Sequence, residues 1–258
     1  MTLDFTPELP PEFHEQPLTA RTLDDFALCP RKFLLAFFTP REQERRFRGG
    51  PAALHQAVRQ ALLDCYNLGG PAKVPLPALL DAFDTHWEGD LCTDSLEEEQ
   101  LRDQGLLMLT EYHVDHGHDA LEAAATDLRL EGSLGDQAFV AVADLALQSG
   151  ACRDYYRFAT SRHPLTGGEL QKGLSAQLLW LLAHDQPVEA GTNLRVLYYA
   201  LRARRAYEVV LDAEQAEYAR RDFASRAARL HREADFAPNK GKHCRWCRSK
   251  SRCPAWRR

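Results

Sequence analysis

Three cysteines crowd the end of the chain, in GKHCRWCRSKSRCPAWRR (241–258), at the spacing C-x2-C-x5-C. Thiolates so close in sequence can share one inorganic centre only where the backbone turns back on itself, and the centre then needs a fourth ligand from elsewhere. Neighbouring lysines and arginines favour the thiolate that binds metal. Of the remaining cysteines, Cys65 falls in a helical apolar pattern, Cys92 follows an acidic run without a companion, and Cys152 sits in a strand beside Asp154. Cys29 precedes Pro30 at a helix break, as Cys253 precedes Pro254. Cys-Pro recurs at iron–sulfur ligands, so Cys29 is the expected partner of Cys244, Cys247 and Cys253. Zinc on the same thiolates, or with His243 replacing one, fits the spacing equally well, and ordinary reduced thiols are the plain alternative.

A chain of 258 residues, 45% hydrophobic, can bury one substantial core. The start, MTLDFTPELPPEFHEQPLTA, is proline- and acid-rich and lacks a signal-peptide pattern. No apolar run approaches the roughly 20 residues of a membrane span, so a cytoplasmic protein without membrane contact is expected. An odd cysteine count argues against a disulfide framework. Net charge is −5, yet Lys240, Lys242, Arg245, Arg248, Lys250, Arg252, Arg257 and Arg258 are joined by no acid. Such a local patch can meet a phosphate backbone although the whole chain is anionic.

Periodicity predicts helices over 22–38, capped at Thr22 and interrupted at Pro30, and over 51–67, 76–88 and 95–122. Alternation then predicts three antiparallel strands within 126–160, with turns at 134–137 and 148–150. A helix over 169–184, two strands within 194–211 and a helix over 213–234 follow. Consecutive strands, and the lack of a glycine-rich phosphate loop, exclude a Rossmann array.

LDDFALCPRKFLLAFF, His55 in ALHQAVRQALL, Asp144 in AVADLAL, Asp154 in CRDYYRF, Gln177 in AQLLWLLA and HCRWCRSKSRC follow one another in this order. In that order they resemble the RecB/AddB-type nucleases of the PD-(D/E)XK superfamily, specifically those with an iron–sulfur staple. The resemblance covers residues 22–254. It implies an α/β, restriction-endonuclease-like core, a mixed central sheet flanked by helices, with a helical N-terminal region and a cysteine-bearing tail. Residues 1–21 are expected as an extension and 22–258 as one domain: a helical part (22–122), core sheet and helices (123–236) and tail (237–258).

By resemblance, Cys29, Cys244, Cys247 and Cys253 hold a 4Fe–4S cluster that fastens the two ends of the domain. If the disulfide model transfers, that removes about 4–5 kcal/mol of loop-closure entropy from the unfolded chain. His55, Asp144 and Asp154 match the ligands of Mg²⁺ or Mn²⁺, with Gln177 beside them. Metal-assisted phosphodiester hydrolysis, exonuclease-like and in DNA repair or recombination, is the implied activity. DNA, as single strands or ends, is the implied partner, and a helicase subunit a further one, since the chain has no motor motif. The family's lysine, two residues after the second acid, is Tyr156 here, a phenol without positive charge at neutral pH. Leu181 and Pro51 depart from the family's tyrosine and glycine. Lys172 is the candidate replacement, with Arg157 and Arg162 poorer ones. Retention of His55, Asp144 and Asp154 favours a nuclease. A silenced nuclease-fold DNA-binding module and a zinc-stapled structural protein are the competing readings.

His113, His116 and His118 are expected in a solvated turn, and Arg195, Arg202, Arg204 and Arg205 on a solvated face that could line a nucleic-acid channel, with Tyr198, Tyr199 and Tyr207 as strand packing or stacking platforms.

Overall fold

Thr19, not Thr22, caps the first helix: its hydroxyl accepts the Thr22 N–H at 3.1 Å. A computed structural model of the chain describes residues 9–37, 49–119, 123–161, 166–189 and 191–256. Helix α1 (Ala20–Leu28) ends at Cys29, whose extended backbone turns the chain into α2 (Pro30–Ala36). Pro30 fits there because the first helical position needs no N–H donor. Helices α3 (Gly50–Asn67), α4 (Leu76–His86) and α5 (Ser95–His116) follow. The last was expected to reach 122 but ends at His116, where the His113 carbonyl accepts the Gly117 N–H at 2.7 Å.

Strands β1 (Ala123–Leu134), β2 (Gln137–Ser149) and β3 (Cys152–Ala159) form an antiparallel meander. The single helix expected over 169–184 is two, α6 (Gly167–Lys172) and α7 (Leu174–His184), parted by the extended backbone of Gly173. This pair carries the chain across to β4 (Asn193–Ala200), parallel to β3, and β5 (Arg205–Val209) closes the sheet antiparallel to β4. Helix α8 (Ala213–Arg232) precedes the cysteine tail.

The order β1-β2-β3-β4-β5 makes a mixed sheet between two helical layers. On one face α1, α2, α7 and α8 bury Leu23, Phe33, Leu178 and Phe223 against Phe139, Tyr155 and Val196. On the other, α3, α4 and α5 bury Leu62, Phe83 and Leu109 against Leu145, Phe158 and Tyr199. This is the α/β, restriction-endonuclease-like architecture expected. Leu9, Phe13 and Leu18, from the segment before 22, also pack in the first core.

The sheet has a fork. The β2–β3 ladder runs from Ser149↔Cys152 to Leu145↔Tyr156, and the strands then part at Asp144. Beyond the fork the edge of β2 is taken up by Leu18, which donates to the Ala138 carbonyl and accepts from the Val140 N–H, both at 2.9 Å. Facing also changes here. Ala141 and Ala143 belong to the first core, as does Ala146, whereas Leu145 and Leu147 belong to the second. Strict alternation cannot give that pattern, so it slips one step at Asp144. Opposite it, Asp127 has φ +50°, a left-handed conformation that aspartate tolerates better than most residues.

Helix α5 approaches α3 and α4 closely at Gly105. A Cβ there would meet Phe83 Cζ at 2.5 Å and Leu54 Cδ1 at 3.0 Å. Gly105→Val should therefore destabilise the fold by about 1–3 kcal/mol through overpacking, measured by urea unfolding.

Candidate functional site

Asp144 is wholly removed from solvent. Its Oδ1 accepts from Arg59 Nε at 2.6 Å and from Arg157 Nη1 at 3.0 Å, and its Oδ2 accepts the Phe158 N–H at 2.8 Å. The fork explains this set: once β3 leaves β2, the Phe158 N–H loses its carbonyl partner and the carboxylate takes that place. Arg157 also donates to the Val142 carbonyl at 3.0 Å, filling the parted edge. Arg59 reaches over from α3, and its other arm pairs with Asp127. Two cations and two carboxylates thus form a locally neutral set.

His55 stands one helical turn before Arg59, on the same face of α3. Burial holds its imidazole below the ordinary value; Asp144 pulls the other way, and Arg157 and Arg59 add to the lowering. Its Nδ1 lies 3.3 Å from Thr160 Oγ1. Tyr198 completes the neighbourhood, its phenol pushed up to about 12, chiefly by burial.

Asp154 is not drawn into this group. It pairs with Leu147 in the ladder, three steps from Asp144, or about 10 Å along the strand. The Arg195 guanidinium grips both its oxygens, Nε to Oδ1 at 2.7 Å and Nη2 to Oδ2 at 2.5 Å. Tyr156 stands beside that pair, its phenol raised to about 12 by burial and by Asp154. Continuing the ladder one step sets Arg157 opposite Asp144, and the residue two positions further on is Ala159. The geometric counterpart of a second acid and its lysine is therefore Arg157 and Ala159, not Asp154 and Tyr156. Gln177 donates to the Gln171 carbonyl at 2.8 Å, tying α7 to α6. Lys172 is exposed at the end of α6, near Glu169. Arg162 lies outside the described residues.

These side chains do not fit a divalent cation. A hard cation needs several carboxylate or carbonyl oxygens turned towards it, whereas both oxygens of Asp144, and both of Asp154, are engaged by N–H donors. Two guanidinium groups occupy the space in front of Asp144, where a metal would sit.

The cysteines behave differently. Cys29, Cys244, Cys247 and Cys253 line one recess between α2 and the tail, more than 200 residues apart in sequence. Backbone N–H groups of Asn239 and Gly241 point at Cys29 Sγ and Cys244 Sγ, at 3.4 and 3.5 Å. Such donors stabilise negative charge on sulfur. Arg31 lines the same recess, and its buried Nε and Nη1 have no hydrogen-bond partner among the described residues. Arg31 itself is half-buried, and two unpaired N–H groups facing the recess suit an anionic occupant. Among the described residues, no three His, Cys, Asp or Glu side chains are gathered tightly enough to hold a single metal ion. Cys65, expected in the core, is buried there, its thiol raised to about 11 by burial.

Sequence reasoning missed Arg59 and Arg31, and it cast Arg157 only as a substitute lysine. A helical arginine four residues after a candidate ligand, within the apolar run ALHQAVRQALL, was the available signal for Arg59. Of the arginines expected on a solvated face, Arg195 holds Asp154, Arg202 donates to the Thr160 carbonyl at 2.8 Å, and Arg204 pairs with Asp115. His113 Nε2 lies 2.8 Å from the Val74 carbonyl and so ties α5 to the segment before α4, whereas His116 pairs with Asp119 in its own turn.

The family model described as the PD-(D/E)XK nuclease superfamily matches residues 17–254. No curated protein matches the chain. Among the described residues, no helix is long and apolar enough to cross a membrane.

Two measurements test the closed acid site. Asp144→Ala leaves two guanidinium groups without their shared anion and should cost about 3–5 kcal/mol in urea unfolding, as for other broken buried pairs; a loss under about 1 kcal/mol contradicts the ion-paired assignment. Below the ordinary histidine value of 6.5, unfolded His55 takes up a proton that folded His55 refuses. Stability therefore falls as pH drops from 6.5 towards the lower folded value. His55→Gln should lose less stability than the parent between pH 7.5 and 5.5, even though His231 is lowered too and stays in both proteins.

Proposed function

Since the chain belongs to the PD-(D/E)XK nuclease superfamily, we propose that it uses this fold to hold DNA while arginine closes its hydrolytic centre. Membership suggests metal-dependent nuclease activity and DNA binding, and nucleases of the superfamily usually use Mg²⁺ or Mn²⁺. The observation that carries the proposal is the occupation of Asp144 by Arg59, Arg157 and the Phe158 N–H. An acid whose charge is already matched by two fixed cations does not collect a divalent ion, because those cations repel it from the same oxygens. With Ala159 where a lysine would stand, the charge that orients the attacking water is absent as well.

In this reading Cys29, Cys244, Cys247 and Cys253 hold a 4Fe–4S cluster. The shared recess, the N–H donors aimed at two sulfurs and the unpartnered Nε and Nη1 of Arg31 support it. A cluster supplies bonds between distant parts of the chain; Asp144, Arg59 and Arg157 do not line its recess, so in this reading it acts as a staple. Assignment to the RecB/AddB type, a role in DNA repair or recombination, and a helicase on another chain rest on the order of Cys29, His55, Asp144, Gln177 and the cysteine tail.

Labelled single-stranded DNA incubated with the protein and Mn²⁺ should be retained in a gel shift and keep its length. Shortening that disappears in Asp144→Asn would overturn the closed-site reading. Protein purified without oxygen should be brown and bleach with dithionite, and Cys29→Ser should lose that colour. A colourless protein carrying stoichiometric zinc would replace the cluster with a zinc staple.

A further inference from the structure

Beside the cysteine recess, and separate from Asp144, a broad open groove runs between α1, α2 and the tail. Arg21 and Asp25 of α1, Lys32 and Phe37 of α2, and Trp246 and Arg248 of the tail line it. Trp246 is turned outward, 76% exposed, and Phe37, packed edge-on against Phe13 and Phe33, still leaves 41% of itself exposed. An indole so exposed gains little from the fold, and it stands out against two well-packed helical layers. The Arg245 guanidinium lies 4.8 Å from the Trp246 ring centre. Nearby, Trp256 is 48% exposed, with Lys250 and Lys240 at 4.6 and 5.3 Å from its ring.

Charge on this surface is one-sided. Between 237 and 256 the tail carries Lys240, Lys242, Arg245, Arg248, Lys250 and Arg252 and no acid, in a chain whose net charge is −5. Asp25, the acid of the groove, has Arg21 and Lys32 each at 3.4 Å and is thereby outnumbered. Exposed pairs of this kind are weak and are readily exchanged for another anion.

We propose that this groove binds single-stranded nucleic acid, with Trp246 and Phe37 as stacking platforms and the surrounding lysines and arginines as phosphate contacts. The inference deepens the nucleic-acid-binding reading above and rests on it. Outward aromatic rings interleaved with cations suit unstacked bases on a phosphate chain, and a paired duplex offers no ring face to stack on. One wall of the groove is the tail and the other the helices on either side of Cys29. The cysteine recess thus sets the groove's width, which links the staple to binding.

The test uses the full chain and a fluorescein-labelled oligothymidylate of about 20 nucleotides, read by fluorescence anisotropy at two salt concentrations. Trp246→Ala should weaken binding roughly 5- to 100-fold, the range for loss of one stacked base. Arg21→Glu, on the opposite wall and away from the sulfurs, should weaken it too and flatten its salt dependence. Circular dichroism checks folding; should Trp246→Ala disturb the tail, Arg21→Glu decides. If the parent binds and both folded variants bind equally well, the groove is the wrong surface while nucleic-acid binding by the fold stands. If the parent does not bind at all, that broader reading falls and takes the groove with it. A duplex of the same length bound as tightly as the single strand overturns the assignment to single strands.

Discussion

A carboxylate sealed from water has to find its counter-charge within the fold, and at Asp144 that demand organises the centre of the sheet. Two guanidinium groups and one backbone N–H converge on it from α3 and β3. Each partner answers a local need. Arg59 carries charge through an otherwise apolar helix face, Arg157 fills the edge of β2 that β3 has abandoned, and Phe158 donates an N–H that the ladder no longer uses. Removing the acid would take the shared anion from both arginines and the acceptor from the Phe158 N–H at once, leaving Arg59 with Asp127 and Arg157 with the Val142 carbonyl. The strand fork, the change of facing in β2 and the left-handed Asp127 all meet at this point.

The same geometry separates structure from chemistry. Acids that share a divalent cation must turn their oxygens towards one point. Here the register sets a cation opposite the acid, so attraction holds the strands that a metal would otherwise bridge. Two guanidinium groups and two carboxylates balance there without a further charge. The cysteine recess is the other long-range tie. It brings α2 against a tail that otherwise carries only short helical turns and few buried apolar groups.

Much of the fold was legible. Apolar spacing marked α3, α4 and α8, and alternation with glycine turns marked β1 to β3 to within a few residues. Errors fell at ends and joints. Thr22 was a plausible cap, but Thr19 has the extended backbone that a cap needs, and the sequence carries no trace of that difference. Gly173 breaks a helix whose apolar pattern continues across it. At the site, Asp144 was found because a carboxylate within AVADLAL is conspicuous. Asp154 was paired with it because DYY resembles DYK. The resemblance is local, whereas the partner of a strand residue is set by the register of the whole ladder.

The sequence by itself determined the three-layer class and the superfamily, and it marked four cysteines that line one recess, because periodicity, residue order and cysteine spacing are properties of the line of residues. Only the tertiary structure decided what faces Asp144. That depends on where two strands part and on which helix lies above them, and a shift of a few residues in register exchanges an aspartate for an arginine. Charge is fixed by composition, but whether two charges meet is fixed by distance, and distance exists only once the chain has folded.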